Sequence, residues 1–230
     1  MGFWKNILSH RAGDLGTRAD VSIKETHFTA LDTELTGLDK KRDAIISIGA
    51  VKMVGGRIDM GKSFYHLVNP GTEMGKASIV VHEITPSDIH EKPSIDSVIR
   101  EFFKFCSDDI LIGHFISIDL NFLNREARRI TGRPLPNPAI DTLAMVDWLK
   151  WSSHGDDSEI NPENYQLHEI ARGLGITPEG AHNALMDAFM TAQVFQRLIP
   201  RLEQKGISTL GRLMEVSDPS RKLKHPGMVI

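Results

Sequence analysis

Gly55 and Gly56 stand between two β-rich runs, "DAIISIGAVKMV" and "RIDMGKSFYHLVNP". A two-residue glycine link between such runs is a strong hairpin signal, because glycine takes positive φ without steric cost. A third run of the same kind, "HFTALDTE", precedes them, so three consecutive antiparallel strands are expected.

Helical spacing takes over next. Thr85 and Ser94 are cap candidates, and Ile95, Val98, Phe102 and Phe105 recur at helix period before a short buried strand in "DILIGH". "DLNFLNREARRITG" reads as a helix ended by Gly132, followed by a proline-rich loop and "AIDTLAMVDWLKW". "NYQLHEIARGLGI" and "NALMDAFMTAQVFQRLIPRL" are two further helices, the second apolar on most faces and therefore largely buried. Strands first and helices alternating later predict an α/β fold with a mixed sheet and flanking helices.

At 230 residues, 40% hydrophobic and 25% charged, the chain suits one globular domain with appendages. Residues 1–24 are polar and aperiodic apart from Phe3, Trp4, Ile7 and Leu8, and form an N-terminal arm. Residues 25–203 form the domain, and 204–230, with "SDPSRKLKHPG", resemble a disordered tail. The single cysteine, Cys106, lies in the apolar run "FFKFC" and reads as a buried, inert thiol. No run reaches membrane-spanning length, so a cytoplasmic location without a membrane partner is expected. A net charge of −3 argues against non-specific nucleic-acid binding by an overall basic surface. The basic groups at Lys40, Lys41 and Arg42, at Arg125, Arg128 and Arg129, and at Arg221, Lys222 and Lys224 read as solvated faces.

Acids in apolar settings carry the chemistry. In "FTALDTELTGL", Asp32 and Glu34 share one face of a strand while Thr33 points opposite. Two neighbouring carboxylates repel until a proton, an arginine or a cation relieves them, and their oxygens are the hard ligands that Mg²⁺ or Mn²⁺ accepts. In "LIGHFISIDLNFL", Asp119 opens a helix six residues after Gly113, where it is also a plausible N-cap. In "AHNALMDAFMTA", Asp187 interrupts an apolar helix one turn after its cap candidate Asn183, with His182 just outside the helix start. A histidine titrates near neutrality and is a natural general base.

In order along the chain, "DTELTGL", "GHFISIDLNFL" and "HNALMDA" resemble the three motifs of the DEDDh (DnaQ-like) superfamily of 3′-to-5′ exonucleases, which includes the proofreading epsilon subunit of bacterial DNA polymerase III. The resemblance covers about residues 26–200. It implies a ribonuclease H-like fold with a central five-stranded mixed sheet, and two divalent cations, Mg²⁺ or Mn²⁺, on four acids. One cation is expected on Asp32, Glu34 and Asp187, the other on Asp32 and Asp119, with His182 as general base for hydrolysis to nucleoside 5′-monophosphates. Thr36 and Gly37 are similar to the family's turn for the terminal nucleotide, and His82 matches a histidine near the substrate. Asp141 is read as structural.

Leu35, Phe115 and Glu83 depart from the family pattern. Leu35 is expected to wedge against a base, and Phe115 to stack on one or pack in the core. The implied partners are single-stranded DNA 3′ ends and a DNA polymerase, although "STLGRLMEV" is no convincing clamp-binding peptide. Two alternatives stay open: an exoribonuclease trimming RNA 3′ ends, and a non-catalytic nucleic-acid-binding module of the same fold.

Overall fold

Gly55 takes φ 55° at the expected hairpin, and its N–H donates to the Thr26 carbonyl at 2.8 Å. Strand β2 (Ile45–Val54) thus pairs antiparallel with β3 (Arg57–Leu67), and β1 (His27–Leu35) lies antiparallel on the other side of β2. The far side of β1 pairs parallel with β4 (Ile110–Gly113), which pairs parallel with β5 (Ala139–Asp141). The result is a five-stranded mixed sheet in the order β3-β2-β1-β4-β5. This computed structural model describes residues 18–72, 79, 80, 82–154, 165–178 and 182–220. The Phe3, Trp4, Ile7 and Leu8 cluster and the basic residues Arg221, Lys222 and Lys224 lie outside the described residues.

Alternation along β1 divides the interior into two cores. Phe28 and Ala30 face one side with Met53 and Ile112, whereas Leu31 faces the other with Ile48 and Ala50. After the single turn α1 (Pro86–Ile89), helices α2 (Ile95–Cys106) and α3 (Ser117–Thr131) cover the Leu31 side with Ile99, Phe102, Leu120 and Leu123. Helices α4 (Thr142–His154), α5 (Leu167–Gly173), α6 (Ala184–Gln204) and α7 (Leu210–Val216) cover the other. The long helix α6 lies across β1 and β2, burying Met190, Val194, Phe195 and Leu198. Gly132, at φ 75°, ends α3 as its sequence predicts. Cys106 is buried and free, and its thiol pKa is pushed up by burial.

The packed unit reaches beyond residues 24 and 203 at both ends. Ile23 is fully buried, and Ile207, Leu210 and Leu213 are at most 1% exposed in the same core as α6. Ser22 bridges Thr209, the Ile23 N–H donates to the Ser208 carbonyl at 3.0 Å, and the Asp141 N–H donates to the Ser217 carbonyl at 2.9 Å. Ile207, Leu210, Leu213 and Val216 recur every three residues, so this polar stretch still offers one apolar stripe. Each such side chain stabilises the fold by about 1.5–3 kcal/mol when fully buried. "STLGRLMEV" is therefore spent on the protein's own core. Among the described residues no helix is long and apolar enough to cross a membrane.

Candidate active site

Parallel pairing between β1 and β4 spans Phe28–Ala30 and Ile110–Ile112, but β1 runs on to Leu35. Its last residues leave the edge facing β4 unpaired, at the carboxyl ends of three neighbouring strands, where α/β sheets place their ligands. Asp32 and Glu34 project from this stretch toward the α6 side. Thr33 points to the opposite side and takes hold of Asp119, its N–H and Oγ1 donating to Asp119 Oδ1 at 2.9 and 2.6 Å. Asp119 is not the N-cap of α3; Ile116 is, and Asp119 lies in the first turn. Both contacts from Thr33 go to one Asp119 oxygen, Oδ1.

Asp187 arrives from α6 because of Gly49. This glycine is the β2 partner of Asp32, and a Cβ on it would lie 2.2 Å from the Ala184 carbonyl carbon and oxygen. The first turn of α6 therefore rests directly on the strand backbone. Asn183 caps that turn, its Oδ1 accepting from the N–H groups of Leu185 and Met186 at 3.1 and 3.3 Å. One turn on, Asp187 is buried, and one carboxylate oxygen each from Asp32, Glu34 and Asp187 lies within 4.8 Å of the others. Asp187 Oδ2 accepts from the His182 N–H at 3.0 Å, while the buried Oδ1 has no hydrogen-bond partner among the described residues.

The acids protect one another's protons. Burial, then repulsion from Asp119, Glu34 and Asp187, holds the Asp32 pKa well above the usual carboxylate range. Glu34 is pushed up to about 7 by burial and by Asp187 and Asp119. Asp119 also reaches about 7 through burial, against the lowering effect of its Thr33 bonds. Burial raises Asp187 as well. Three converging oxygens, an orphaned buried Oδ1 and mutual repulsion fit a divalent cation.

A stability prediction follows from these directions. The unfolded carboxyls release their protons near 3.8 to 4.5, but Glu34 and Asp119 release theirs near 7 in the fold, so the folded state holds extra protons between. Their stabilising contribution is present below about pH 4 and is lost as pH rises through about 7. In EDTA, raising pH from about 5 to 8 should lower Tm more in the wild type than in Asp187→Asn, and Mn²⁺ should restore more at the higher pH. Equal pH responses of the two proteins in thermal scans would contradict it.

His182 is exposed and left-handed, at φ 63°, which turns its N–H toward Asp187. His82 is buried; its Nδ1 accepts from the Ile84 N–H at 3.1 Å, placing its proton on Nε2. Its pKa is lowered by burial and by His182, and Nε2 has no partner among the described residues. Leu35 packs half-buried against the Leu31-side core. Thr36 and Gly37 are engaged inside their own turn: Thr36 Oγ1 donates to Asp43 Oδ1 at 2.9 Å, and a Cβ on Gly37 would meet Asp43 Oδ2 at 2.5 Å. Phe115 is half-buried against the α6-side core at φ 54°, its N–H donating to Asp141 Oδ1 at 3.2 Å. Asp141 also receives the Leu143 N–H at 2.9 Å and so ties the end of β5 to the loop after β4.

The sequence reading missed His168. From α5 its Nε2 stands 3.5 Å from Asp187 Oδ1, and its ring lies 5.8 Å from that of His182, so two histidines flank this carboxylate. In "QLHEIA" it is one polar residue on a short amphipathic helix, with no local signal. His114 anchors the neighbourhood: Nε2 contacts the Tyr165 carbonyl at 2.7 Å, and Nδ1 contacts Thr142 Oγ1 at 2.9 Å. Burial lowers its pKa to about 4, which keeps it neutral.

The RNase T exonuclease family model matches residues 29–195, from β1 through most of α6. This chain belongs to that exonuclease family. Among relatives of this exonuclease are the PolC-type DNA polymerase III of Thermotoga maritima, 34% identical over 199 residues, and the DNA polymerase III subunit epsilon of Aquifex aeolicus, 31% identical over 177 residues. The matched region is 86% of this chain but 14% of the Thermotoga protein, against 76% and 81% for the Aquifex pair. The exonuclease thus spans only a small part of the PolC-type relatives it matches. Its fold is that of E. coli exonuclease I, solved in complex with a dT13 oligonucleotide, at TM-score 0.69 and 15% identity, covering 79% of this chain and 43% of that one.

Proposed function

We propose that this chain is a 3′-to-5′ exonuclease that removes nucleoside 5′-monophosphates from single-stranded DNA ends by metal-dependent hydrolysis. The observation that carries the reading is the convergence of Asp32, Glu34 and Asp187 within 4.8 Å, where among the described residues no lysine or arginine forms an ion pair with any of them and only His168 Nε2 comes near, at 3.5 Å from Asp187 Oδ1. Asp32, Glu34, Asp119 and Asp187 would hold two divalent cations, Mg²⁺ or Mn²⁺. Bound cations would supply the positive charge that in-line displacement at phosphorus needs on its attacking and leaving oxygens.

The chain's own groups do the rest. Asp187 Oδ2 holds the His182 backbone, which leaves the exposed imidazole at the mouth of the site to accept the proton of the attacking water. As water oxygen bonds to the terminal phosphorus, the bond to the preceding O3′ breaks. The products are a nucleoside 5′-monophosphate and a strand one nucleotide shorter with a new 3′ hydroxyl. His82 Nε2–H is a donor for the substrate. Leu35 and Phe115, half-buried on opposite cores, offer apolar surface to the terminal base or sugar.

DNA is favoured over RNA because the relatives named above are DNA polymerase III proteins and the exonuclease I structure holds dT13. The same names support a proofreading or repair role beside a polymerase in the cytoplasm. Leu210, Leu213 and Val216 are buried in the protein's own core, so these side chains are not free to dock on a partner.

Product analysis tests the reading. Matched uniformly labelled DNA and RNA single strands should yield nucleoside 5′-monophosphates, with DNA consumed faster. Nucleoside 3′-monophosphates or internal fragments would overturn the reaction, and faster RNA cleavage would reassign the substrate to RNA 3′ ends. For His182, asparagine is the cleaner replacement, because it tolerates the left-handed backbone there. His182→Asn should lower kcat by roughly 10²- to 10⁴-fold. An unchanged rate near pH 7 would remove His182 from the chemistry.

A further inference from the structure

The turn after the acidic pair is held by hydrogen bonds that are mostly its own. Thr36 N–H donates to the Ala44 carbonyl at 2.9 Å, closing the turn. The Asp43 carboxylate fills its centre, Oδ1 receiving Thr36 Oγ1 at 2.9 Å and Oδ2 receiving the Asp39 N–H at 2.7 Å. Gly37 presses on the same carboxylate closely enough to exclude a Cβ.

Arg125 connects this turn to the body of the protein. From α3, its Nη1 donates to the carbonyls of Lys40 and Asp43 at 2.9 and 2.7 Å. Its Nε donates to Glu126 Oε1 at 2.7 Å, and the guanidinium carbon lies 5.2 Å above the Phe122 ring. Glu126 is buried, and its Oε2 receives Arg129 Nε at 2.9 Å; Arg129 in turn grips Asp96 on α2. Asp119, six residues before Arg125, belongs to the same helix. Helix α3 therefore sets both an acid of the site and the turn that follows the other two.

We propose that Arg125 is a positioning residue: it fixes the 36–44 turn against Asp32 and Glu34, so that the substrate's 3′-terminal nucleotide meets a preformed seat. This rests on the exonuclease reading above. A planar guanidinium can donate toward Glu126 from one nitrogen and toward two carbonyls from another while stacking on Phe122. A lysine ammonium keeps the charge and much of the stem but cannot reproduce that fork. A loosened turn populates the binding-competent conformation less, which weakens apparent affinity while leaving the bound complex able to react.

Arg125→Lys should raise KM for 5′-labelled single-stranded DNA roughly tenfold, the scale of losing a charge-assisted hydrogen bond. Its kcat should stay within about threefold, and the same oligonucleotide should bind correspondingly more weakly in EDTA by fluorescence anisotropy. That separation of KM from kcat is not expected of a purely structural residue, whose loss lowers the active fraction and therefore kcat. If the wild type cleaves and Arg125→Lys shows an unchanged KM, or a fall in kcat alone, the positioning role is overturned and the exonuclease reading stands. If the wild type binds DNA but does not cleave it with Mn²⁺, the exonuclease reading fails and the role of Arg125 falls with it.

Discussion

Asp187→Asn should lose cleavage by roughly 10³-fold or more while keeping its Tm or raising it. The loss follows from the several kcal/mol of transition-state charge stabilisation that a bound cation supplies, at about 1.4 kcal/mol for each factor of ten. The gain in Tm follows from the site as it stands. Among the described residues Asp187 Oδ1 is buried without a hydrogen-bond partner, and its carboxylate raises the pKa of both Asp32 and Glu34. An amide removes that repulsion and can still accept the His182 N–H through its oxygen. Measuring kcat/KM beside a thermal scan separates the two effects. A variant that loses activity in proportion to lost folded protein would place Asp187 among the structural residues.

Gly49→Ala should be the most damaging methyl group in the fold's centre. The new Cβ would lie 2.2 Å from the Ala184 carbonyl and 2.3 Å from the Leu185 nitrogen, all main-chain atoms that no rotamer change can move. Helix α6 must lift from β2, taking Asp187 and His182 away from Asp32 and Glu34. Overpacking of this kind costs about 1–3 kcal/mol and occasionally more. Chemical denaturation should show that loss, and the molecules still folded should bind Mn²⁺ weakly and cleave poorly. Gly56→Ala is the control: its Cβ would meet only Ile199 Cδ1 at 3.5 Å, an ordinary contact. Wild-type stability and activity in Gly49→Ala would refute the account of how α6 delivers its acid.

These two residues mark where the sequence was legible and where it was not. Asp32 and Glu34 could be placed on one face because side chains two apart on a strand always are. Asp187 could be called anomalous because charge on an apolar helix is costly. Bringing the two together required the family's motif order, since nothing local says that α6 crosses β1. Gly49 sits in the strand run "IISIGAVKMV", where its need for close backbone approach cannot be distinguished from an ordinary glycine.

Other features hid for related reasons. His168 meets Asp187 only through tertiary packing of α5 on α6. Alternation places Thr33 opposite Asp32 and Glu34, and that orientation is what lets it hold Asp119 from the other side of the strand. Polar composition makes residues 204–230 read as a tail and masks the three-residue apolar repeat of Ile207, Leu210, Leu213 and Val216, which is buried. The close packing of Gly37 on the Asp43 carboxylate, six residues on, has no local signal in the sequence. The basic residue Arg125, read as one of a solvated face, is largely occupied by the turn and Glu126.

The central claim is that acids gathered at the end of β1 serve metal-dependent hydrolysis of a nucleic-acid 3′ end. Its most direct test is a denaturing-gel time course on a 5′-labelled single-stranded DNA with Mg²⁺, with Mn²⁺ and with EDTA, run beside Asp187→Asn. The account predicts a ladder that shortens one nucleotide at a time from the 3′ end with either cation and is absent with EDTA and in the variant. A ladder that persists in EDTA, or immediate release of the label as a mononucleotide by attack from the 5′ side, would contradict it.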